Sequence, residues 1–369
     1  MQPSDWNADH VWTGPTIIDA DTTYTINTDG SGSYASIPAC FTDINKFMVG
    51  NSARITVNLQ AGIHTISAPI EYTNKTTSRV SIVGATPIDF VSTGVSVSGS
   101  FGAYTNIITV ASVDTAVVLV GMYVMVYGST LSTNPNRIWG CHKITAVTST
   151  TITILNKHRG AAGPSGTTGL SFKVIPTIIK TASDIAGVRV TNASVGSSGE
   201  PFLKDVVIEG WGASNGAETG LQVRDNAYCF LGGSITYPKV GIVAFGIGMS
   251  ALQQSSISAD SFSVAISDSG NLGLYAYKGS FISAGYVVVS STRVNSAGYG
   301  VACDERSSAT IGSAYLASNA TNVWAYAGSQ IRALSAPTVN EALTSGGAAG
   351  TTFSPTVNTV GNANSYIEG

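Results

Sequence analysis

Between Thr219 and Pro337 the chain repeats itself. The stretches Gly220–Val223, Gly241–Ala244, Ser261–Val264, Gly300–Cys303 and Asn322–Ala325 share one pattern: a small or turn-forming residue, an apolar residue, a free position and a second apolar residue. Their starts step by 21, 20, 39 and 22 residues. The step of 39 holds two rungs, with Tyr286–Val289 a poorly registered one between them. A second apolar mark falls eleven residues after a start, at Leu231, Leu252, Leu272 and Ile311. A third follows near Ile235, Ile257 and Leu316. A short strand repeated near every twenty residues cannot bury its inward side chains alone, so each rung must stack on the next. Each rung then advances the axis by one strand spacing, about 4.8 Å. Ser, Asn, Gly and Ala between the marks suit tight corners. Leucine-rich repeats have a similar period but need a recurring Leu and Asn pattern, which is missing. The reading is an all-β chain, a right-handed parallel β-helix, with Leu221, Val223, Ile242, Phe262, Val264, Val301 and Val323 pointing inward and Phe245, Trp324 and Tyr326 outward.

The bulk numbers agree. Of 369 residues only 11% are charged, against roughly a quarter in ordinary globular chains. Hydrophobic residues make up 43% and there are 41 glycines, so low charge here does not mean disorder. The net charge is −3 and no basic stripe exists, which argues against nucleic-acid binding. The start, Met1 to Trp6, has neither a basic nor an apolar leader segment, and no apolar run is long enough to span a bilayer. Neither a secretory signal nor membrane insertion is expected. Cys40, Cys141, Cys229 and Cys303 lack paired spacing, so they read as free thiols, Cys303 as a buried one. His142 and His158 have no third ligand at a sensible spacing and read as surface residues. No metal and no cofactor is expected.

Earlier in the chain, Tyr24–Ile37 reads as a strand, a glycine-rich turn and a lead-in. Ile37, Phe41, Ile44 and Met48 recur at helical spacing, which predicts a short amphipathic helix over 37–48. Ile55–Thr65 and Arg79–Gly84 alternate as strands. In Asp29-Gly30, Tyr34-Ala35-Ser36-Ile37 and Leu59-Gln60-Ala61-Gly62-Ile63-His64 the chain resembles the pectate-lyase-like β-helix family, in the form found in bacteriophage tailspikes and other tail proteins. The resemblance implies that the helix caps the open end of the solenoid, that the assembly is a homotrimer, and that the protein belongs to the virion tail after assembly in the host cytoplasm. Trp6 and Trp12 read either as a segment tucked against the first rung or as an attachment peptide; docking on other tail or baseplate proteins is the favoured reading.

Residues 95–178 break the rhythm with longer alternating strands and read as an inserted small antiparallel β-barrel or sandwich. Inserts of this kind are known in tailspike-like β-helices, and contact with a neighbouring subunit or with glycan are both open. The expected division is an attachment segment over 1–30, capping helix and first rungs over 31–94, the insert over 95–178, the β-helix over 179–340 and a C-terminal extension over 341–369. Ser354–Ser365 of that extension resembles the closing segment of some phage tail proteins.

Outward side chains at one offset form columns down a solenoid. With the twenty-residue register, Asp304, Trp324 and Tyr326 fall on adjacent rungs, and Glu305 follows Asp304. Rings that stack on apolar sugar faces and carboxylates that hold hydroxyls make a carbohydrate site. The bland alternative is a solvated corner at Asp304-Glu305-Arg306 with the rings packed into a subunit interface. Hydrolysis of a glycoside needs two carboxyls a few ångströms apart. Asp225 and Glu305 share an offset but stand four rungs, about 19 Å, apart, and Asp205 and Glu209 on one strand stand roughly 13 Å apart. No carboxylate cluster supports a calcium-assisted lyase, and no catalytic residue is assigned. The expectation is a phage tailspike or tail-fibre protein that recognises host cell-surface polysaccharide. The alternative is a depolymerase, a hydrolase or lyase acting on host capsule or O-antigen.

Overall fold

The computed structural model describes residues 15–50, 52–100, 103–126, 140–156, 168–197, 200–211, 218–232, 239–259, 264–285, 287–290, 299–311, 315–317, 321–333, 338–340 and 366–368. Three long sheets of parallel strands dominate it. Sheet I runs from Gly62–Ile66 through Thr177–Thr181, Val206–Glu209, Val240–Val243, Val264–Ser267, Val288–Ser290 and Tyr315–Ala317 to Thr338–Asn340. Sheet II stacks Ile70–Tyr72, Val188–Thr191, Thr219–Arg224, Ile247–Leu252, Leu272–Tyr277, Tyr299–Asp304 and Thr321–Ala325. Sheet III stacks Ser194–Val195, Tyr228–Phe230, Ser256–Ser258, Phe281–Ala284, Ser308–Ile311, Gln330–Ala333 and Tyr366–Glu368. Successive strands visit the three sheets in rotation, so each circuit adds one strand to each. A shorter parallel sheet, Thr22–Ile26, Ile55–Leu59, Val80–Val83 and Leu203–Lys204, belongs to the N-terminal circuits.

The inward set is aliphatic and dry. Leu221, Val223, Ile242, Val264 and Val301 are fully buried and Val323 nearly so, in one core that runs the length of the molecule. Phe262 lies outside the described residues.

The period differs from the expected one. In sheet II the partners are Leu221, Met249, Leu274, Val301 and Val323, which are 28, 25, 27 and 22 residues apart. Gly220, Gly300 and Asn322 lie on sheet II, but Gly241 lies on sheet I. Strands of both sheets carry a glycine before alternating apolar residues, for different reasons. Gly187, Gly220, Gly248, Gly273 and Gly300 form the corner between sheets I and II. A Cβ on Gly248 would sit 2.4 Å from Ile266 Cγ2 and 2.7 Å from the Gly273 carbonyl oxygen. Phe245 corrects a second expectation. It is buried, not outward, and its ring fills the space left by Gly187, Gly210 and Gly220.

The corner from sheet II to sheet III is built differently. The first circuit turns it on Asn192 alone, and each later one on two successive left-handed residues: Asp225-Asn226, Gln253-Gln254, Lys278-Gly279, Glu305-Arg306 and Ala327-Gly328. A left-handed non-glycine residue costs roughly 1–2 kcal/mol. Stacked hydrogen bonds offset that cost. Main-chain bonds link one turn to the next, such as Gln254 N to the Lys278 carbonyl at 3.0 Å and Arg306 N to the Ala327 carbonyl at 3.1 Å. Beneath them runs a buried serine ladder, in which the N–H groups of Ala227, Ser255, Ser280 and Ser307 donate to Oγ of Ser255, Ser280, Ser307 and Ser329 at 3.0 to 3.2 Å.

The helix spans Ile37–Ile44, with Ser36 as N-cap accepting from Ala39 N and Pro38 in the first turn. It buries Ile37, Cys40, Phe41 and Ile44 against the first circuits, where Phe41 meets Tyr72 and Phe202 edge-on. Met48 is not on its apolar face. It lies in the next short strand and is half exposed.

The antiparallel insert is a closed six-stranded barrel whose strands begin at Ile88 and end at Ile175. Its two ends meet at the edge of the parallel sheets, where Ala85 N donates to Thr177 Oγ1 at 2.9 Å. The barrel has its own core and leans on the outer face of sheet I. There Tyr123, Met125, Cys141 and Ile175 pack on Ile178, Val207, Val243, Ala265 and Val288. This contact explains Gly241, since a Cβ there would lie 2.7 Å from Cys141 Sγ and 2.8 Å from Met125 Cε. His142 is buried within the barrel strand Gly140–Val147 and is not the surface residue expected, while His158 lies outside the described residues. All four cysteines are free and buried. Trp6, Trp12 and Ser354–Ser365 also lie outside the described residues.

Candidate functional site

The outer face of sheet II is set by its register. One column reads Arg189, Gln222, Ser250, Tyr275, Ala302, Trp324. A second reads Thr191, Arg224, Leu252, Tyr277, Asp304, and Tyr326 continues it, its N–H donating to the Cys303 carbonyl at 2.9 Å. A third carries Ile247, Leu272 and Tyr299. The face therefore changes along the axis from polar at Arg189 and Arg224 to aromatic at Tyr275 through Tyr326.

Asp304, Trp324 and Tyr326 do come together, with Glu305 at the adjoining corner. Tyr275, Tyr277 and Tyr299 join them, and the sequence reading missed all three. The signal for two of them was present, because Gly273-Leu274-Tyr275-Ala276 obeys the repeat pattern and places Tyr275 at the free position, with Tyr277 two residues on. The twenty-residue step passed over it.

The rings are ordered against one another. Tyr299 and Trp324 stack with centroids 5.1 Å apart, and Trp324 and Tyr326 at 5.4 Å, 6° from parallel. Tyr275 and Tyr277 stack at 5.7 Å. Trp324 thus stacks on both Tyr299 and Tyr326, and Lys278 Nζ lies over the Tyr277 ring, 5.1 Å from its centre. The carboxylates are turned toward phenols. Tyr277 donates to Glu305 Oε1 at 2.9 Å, and that bond holds its phenol above the usual tyrosine range. Burial first, and the Asp304 carboxylate next, push the Tyr275 phenol well up. Asp304 Oδ1 accepts from Glu305 N at 2.7 Å.

The other carboxylates do other things. Asp225 and Glu305 share the corner column, but Gln253 and Lys278 lie between them, which makes three rungs, about 14 Å, and not four. Glu209 is buried under the barrel, 2.7 Å from Lys143 Nζ, and Asp205 is 3.8 Å from Lys239 Nζ. Among the described residues no three His, Cys, Asp or Glu side chains are grouped to hold a metal.

No family model and no curated protein matches the chain. Among solved structures it is similar to the Gp54 tailspike of Acinetobacter baumannii bacteriophage AP22 in complex with A. baumannii capsular saccharide, at 10% identity and a TM-score of 0.22 over 77% of this chain and 53% of that one. The chain therefore spans about half of that tailspike. It is also similar to XylC in complex with xylose, at 9% identity and a TM-score of 0.26 over 87% of this chain and 72% of that one. A glycoside hydrolase matches at 8% identity and a TM-score of 0.17, over 85% of this chain and 96% of that one. Scores this low do not establish a shared fold. Among the described residues no helix is long and apolar enough to cross a membrane.

Proposed function

We propose that the chain is a bacteriophage tail protein of the tailspike kind, a right-handed parallel β-helix that recognises a glycan of the host cell surface through the outer face of sheet II. The observation that carries the reading is the ordered row of tyrosine and tryptophan rings, partly buried beside Asp304 and Glu305. Rings locked by mutual stacking lose little freedom when a ligand arrives, and their polar edges suit a partner that is part apolar and part hydroxyl. The right hand follows from the handedness of parallel crossovers, which is right in almost all proteins.

A homotrimer and attachment to other tail proteins through Trp6 and Trp12 complete the proposal, with the virion tail as its place. Support for a subunit contact comes from the turn before the barrel strand Tyr123–Val126, where Val117, Leu119 and Val120 stand half exposed or more. That turn is held by main-chain bonds from Val117 and Val118 to the Asp114 carbonyl. Rigid exposed aliphatics of this kind usually meet a partner. Light scattering should give a trimer at micromolar concentration.

The decisive experiment incubates the protein with a panel of purified capsular and O-antigen polysaccharides. Binding without release of oligosaccharides is expected, and it should weaken in Trp324→Ala and Tyr326→Ala. Release of oligosaccharides would instead make the protein a depolymerase. Failure to bind any member of the panel would remove the glycan reading.

A further inference from the structure

The ring rows of sheet II end at a depression on the corner between sheets II and III, lined by Gln254, Lys278, Gly279, Glu305, Arg306 and Ala327. Its shape comes from the corner ladder. The second left-handed position of each turn is, in order along the axis, Asn226, Gln254, Gly279, Arg306 and Gly328. Arg306 thus stands between two glycines, with its own Cγ lying over Gly328 and the Gln254 Cγ over Gly279. The first left-handed position supplies Lys278, whose Nζ lies 5.1 Å from the centre of the Tyr277 ring.

The charges are sorted by place. Glu305 lines the depression too, but its carboxylate turns to a phenol of sheet II. Glu305 accepts the Tyr277 hydroxyl, and Asp304 accepts the Glu305 N–H beside Tyr275. The two cations stand exposed over the corner, and the Arg306 guanidinium has no hydrogen bond or ion pair to any described residue. A guanidinium presents a planar fork of donors that fits a carboxylate in two-point fashion, and an ammonium adds a point charge.

We propose that this depression takes the carboxylate of an acidic, uronate-type sugar, with Arg306 as its main contact, Lys278 in support and the neighbouring Tyr326 ring against the sugar ring. The inference rests on the glycan reading and adds the charge class of the ligand and the place where it sits. Arg306 and Lys278 recognise it; Asp304 and Glu305, which the sequence offered as sugar contacts, position the rings.

The test uses the full chain, a hexuronate-containing oligosaccharide and its carboxyl-reduced neutral counterpart. The variants are Arg306→Gln and Lys278→Gln, which fit the backbone because Gln254 and Gln253 already hold the matching positions at φ 62° and 57°. The wild type should bind the acidic oligosaccharide at least about tenfold more tightly than the neutral one, and Arg306→Gln should lose at least about tenfold of that affinity, the worth of one charged hydrogen bond. Added salt should weaken acidic binding and leave neutral binding unchanged. Equal or tighter binding of the carboxyl-reduced form, or acidic binding untouched by Arg306→Gln, overturns the inference and leaves the glycan reading standing. Binding of neither oligosaccharide, with the polysaccharide panel also negative, overturns both.

Discussion

The outer faces of sheets I and II are made from the same kind of strand and have opposite fates. On sheet I the outward column from Ile178 through Val207, Gly241 and Ala265 to Val288 is aliphatic or small and lies buried under the barrel, while Ile63 at the N-terminal end of the same column stays exposed. On sheet II the outward positions are Tyr275, Tyr277, Tyr299, Trp324, Tyr326 and Asp304, partly buried and rimmed by charge. A face meant to stay covered needs only area and fit, at about 25 cal/mol for each Å² of apolar surface removed from water. A face that meets water for part of its life needs groups that are satisfied in both states, and Tyr and Trp provide an apolar body with a polar edge. The polar content of the covered face is correspondingly tied down, with Glu209 held by Lys143 and the Cys141 N–H donating to Ser267 Oγ at 3.3 Å.

The sharpest way to break this comparison is to place a carboxylate on each face. Val207→Asp leaves an uncompensated charge beneath the barrel and should cost at least about 3 kcal/mol, measured by chemical denaturation. Leu272→Asp on sheet II should cost well under half as much. Equal costs would mean that the two faces are equally buried in solution. Removing the barrel between Ala85 and Thr177 tests the same point. The ends are close enough for a short linker, but the bared column of sheet I should make the product associate, and a monomeric, soluble deletion would contradict the role given to that contact.

Next comes the support beneath the open face. Ser280 Oγ accepts from Ser255 N and donates to the Tyr277 carbonyl at 2.7 Å. Ser280→Ala leaves a buried N–H unpaired and should cost about 1–3 kcal/mol by thermal or urea unfolding. Because the corner positions Tyr277, affinity for the proposed glycan should fall as well. A change within error in stability would show that water replaces the ladder.

A smaller effect separates the barrel from the parallel sheet it covers. Asn106 is fully buried on the barrel wall opposite Ile154 and Val97, and neither polar atom of its amide has a partner among the described residues. Asn106→Leu should stabilise the protein by about 1 kcal/mol without moving any property of sheet II. Destabilisation would reveal a trapped water on that amide.

The smallest effect is electrostatic. Tyr277 is held above the ordinary tyrosine range first by its bond to Glu305, so Glu305→Gln should bring its titration back down, as read by NMR or by absorbance at alkaline pH. Tyr34 is pushed up to about 12, chiefly by burial. A phenol whose folded value is raised contributes stability that is whole below its unfolded value near 10 and is lost as pH climbs through the folded value. Stability from Tyr34 should therefore fade between about pH 10 and 12. An unchanged Tyr277 titration in Glu305→Gln would mean that the bond is absent in solution.

Much of this molecule was written locally. Alternation of apolar residues at Leu221 and Val223, or at Ile242, decides which side chains go inward, because a strand offers only two faces. Spacing at Ile37, Phe41 and Ile44, with Ser36 before them, decides a capped helix. The long alternating stretches between Ile88 and Ile175 announce a separate antiparallel unit. The circuit length was not written locally. Gly241 and Gly220 look alike in sequence, yet one makes room for a barrel and the other for a corner, and only the pairing of strands tells them apart. The ring row has the same origin. Tyr299, Trp324 and Tyr326 become a stack because circuits of unequal length bring them to adjacent rungs, and which rungs are adjacent is a property of long-range pairing that no window of sequence contains. The covering of sheet I and the exposure of sheet II follow from where the barrel docks, a contact between residues more than a hundred positions apart, such as Cys141 and Ser267.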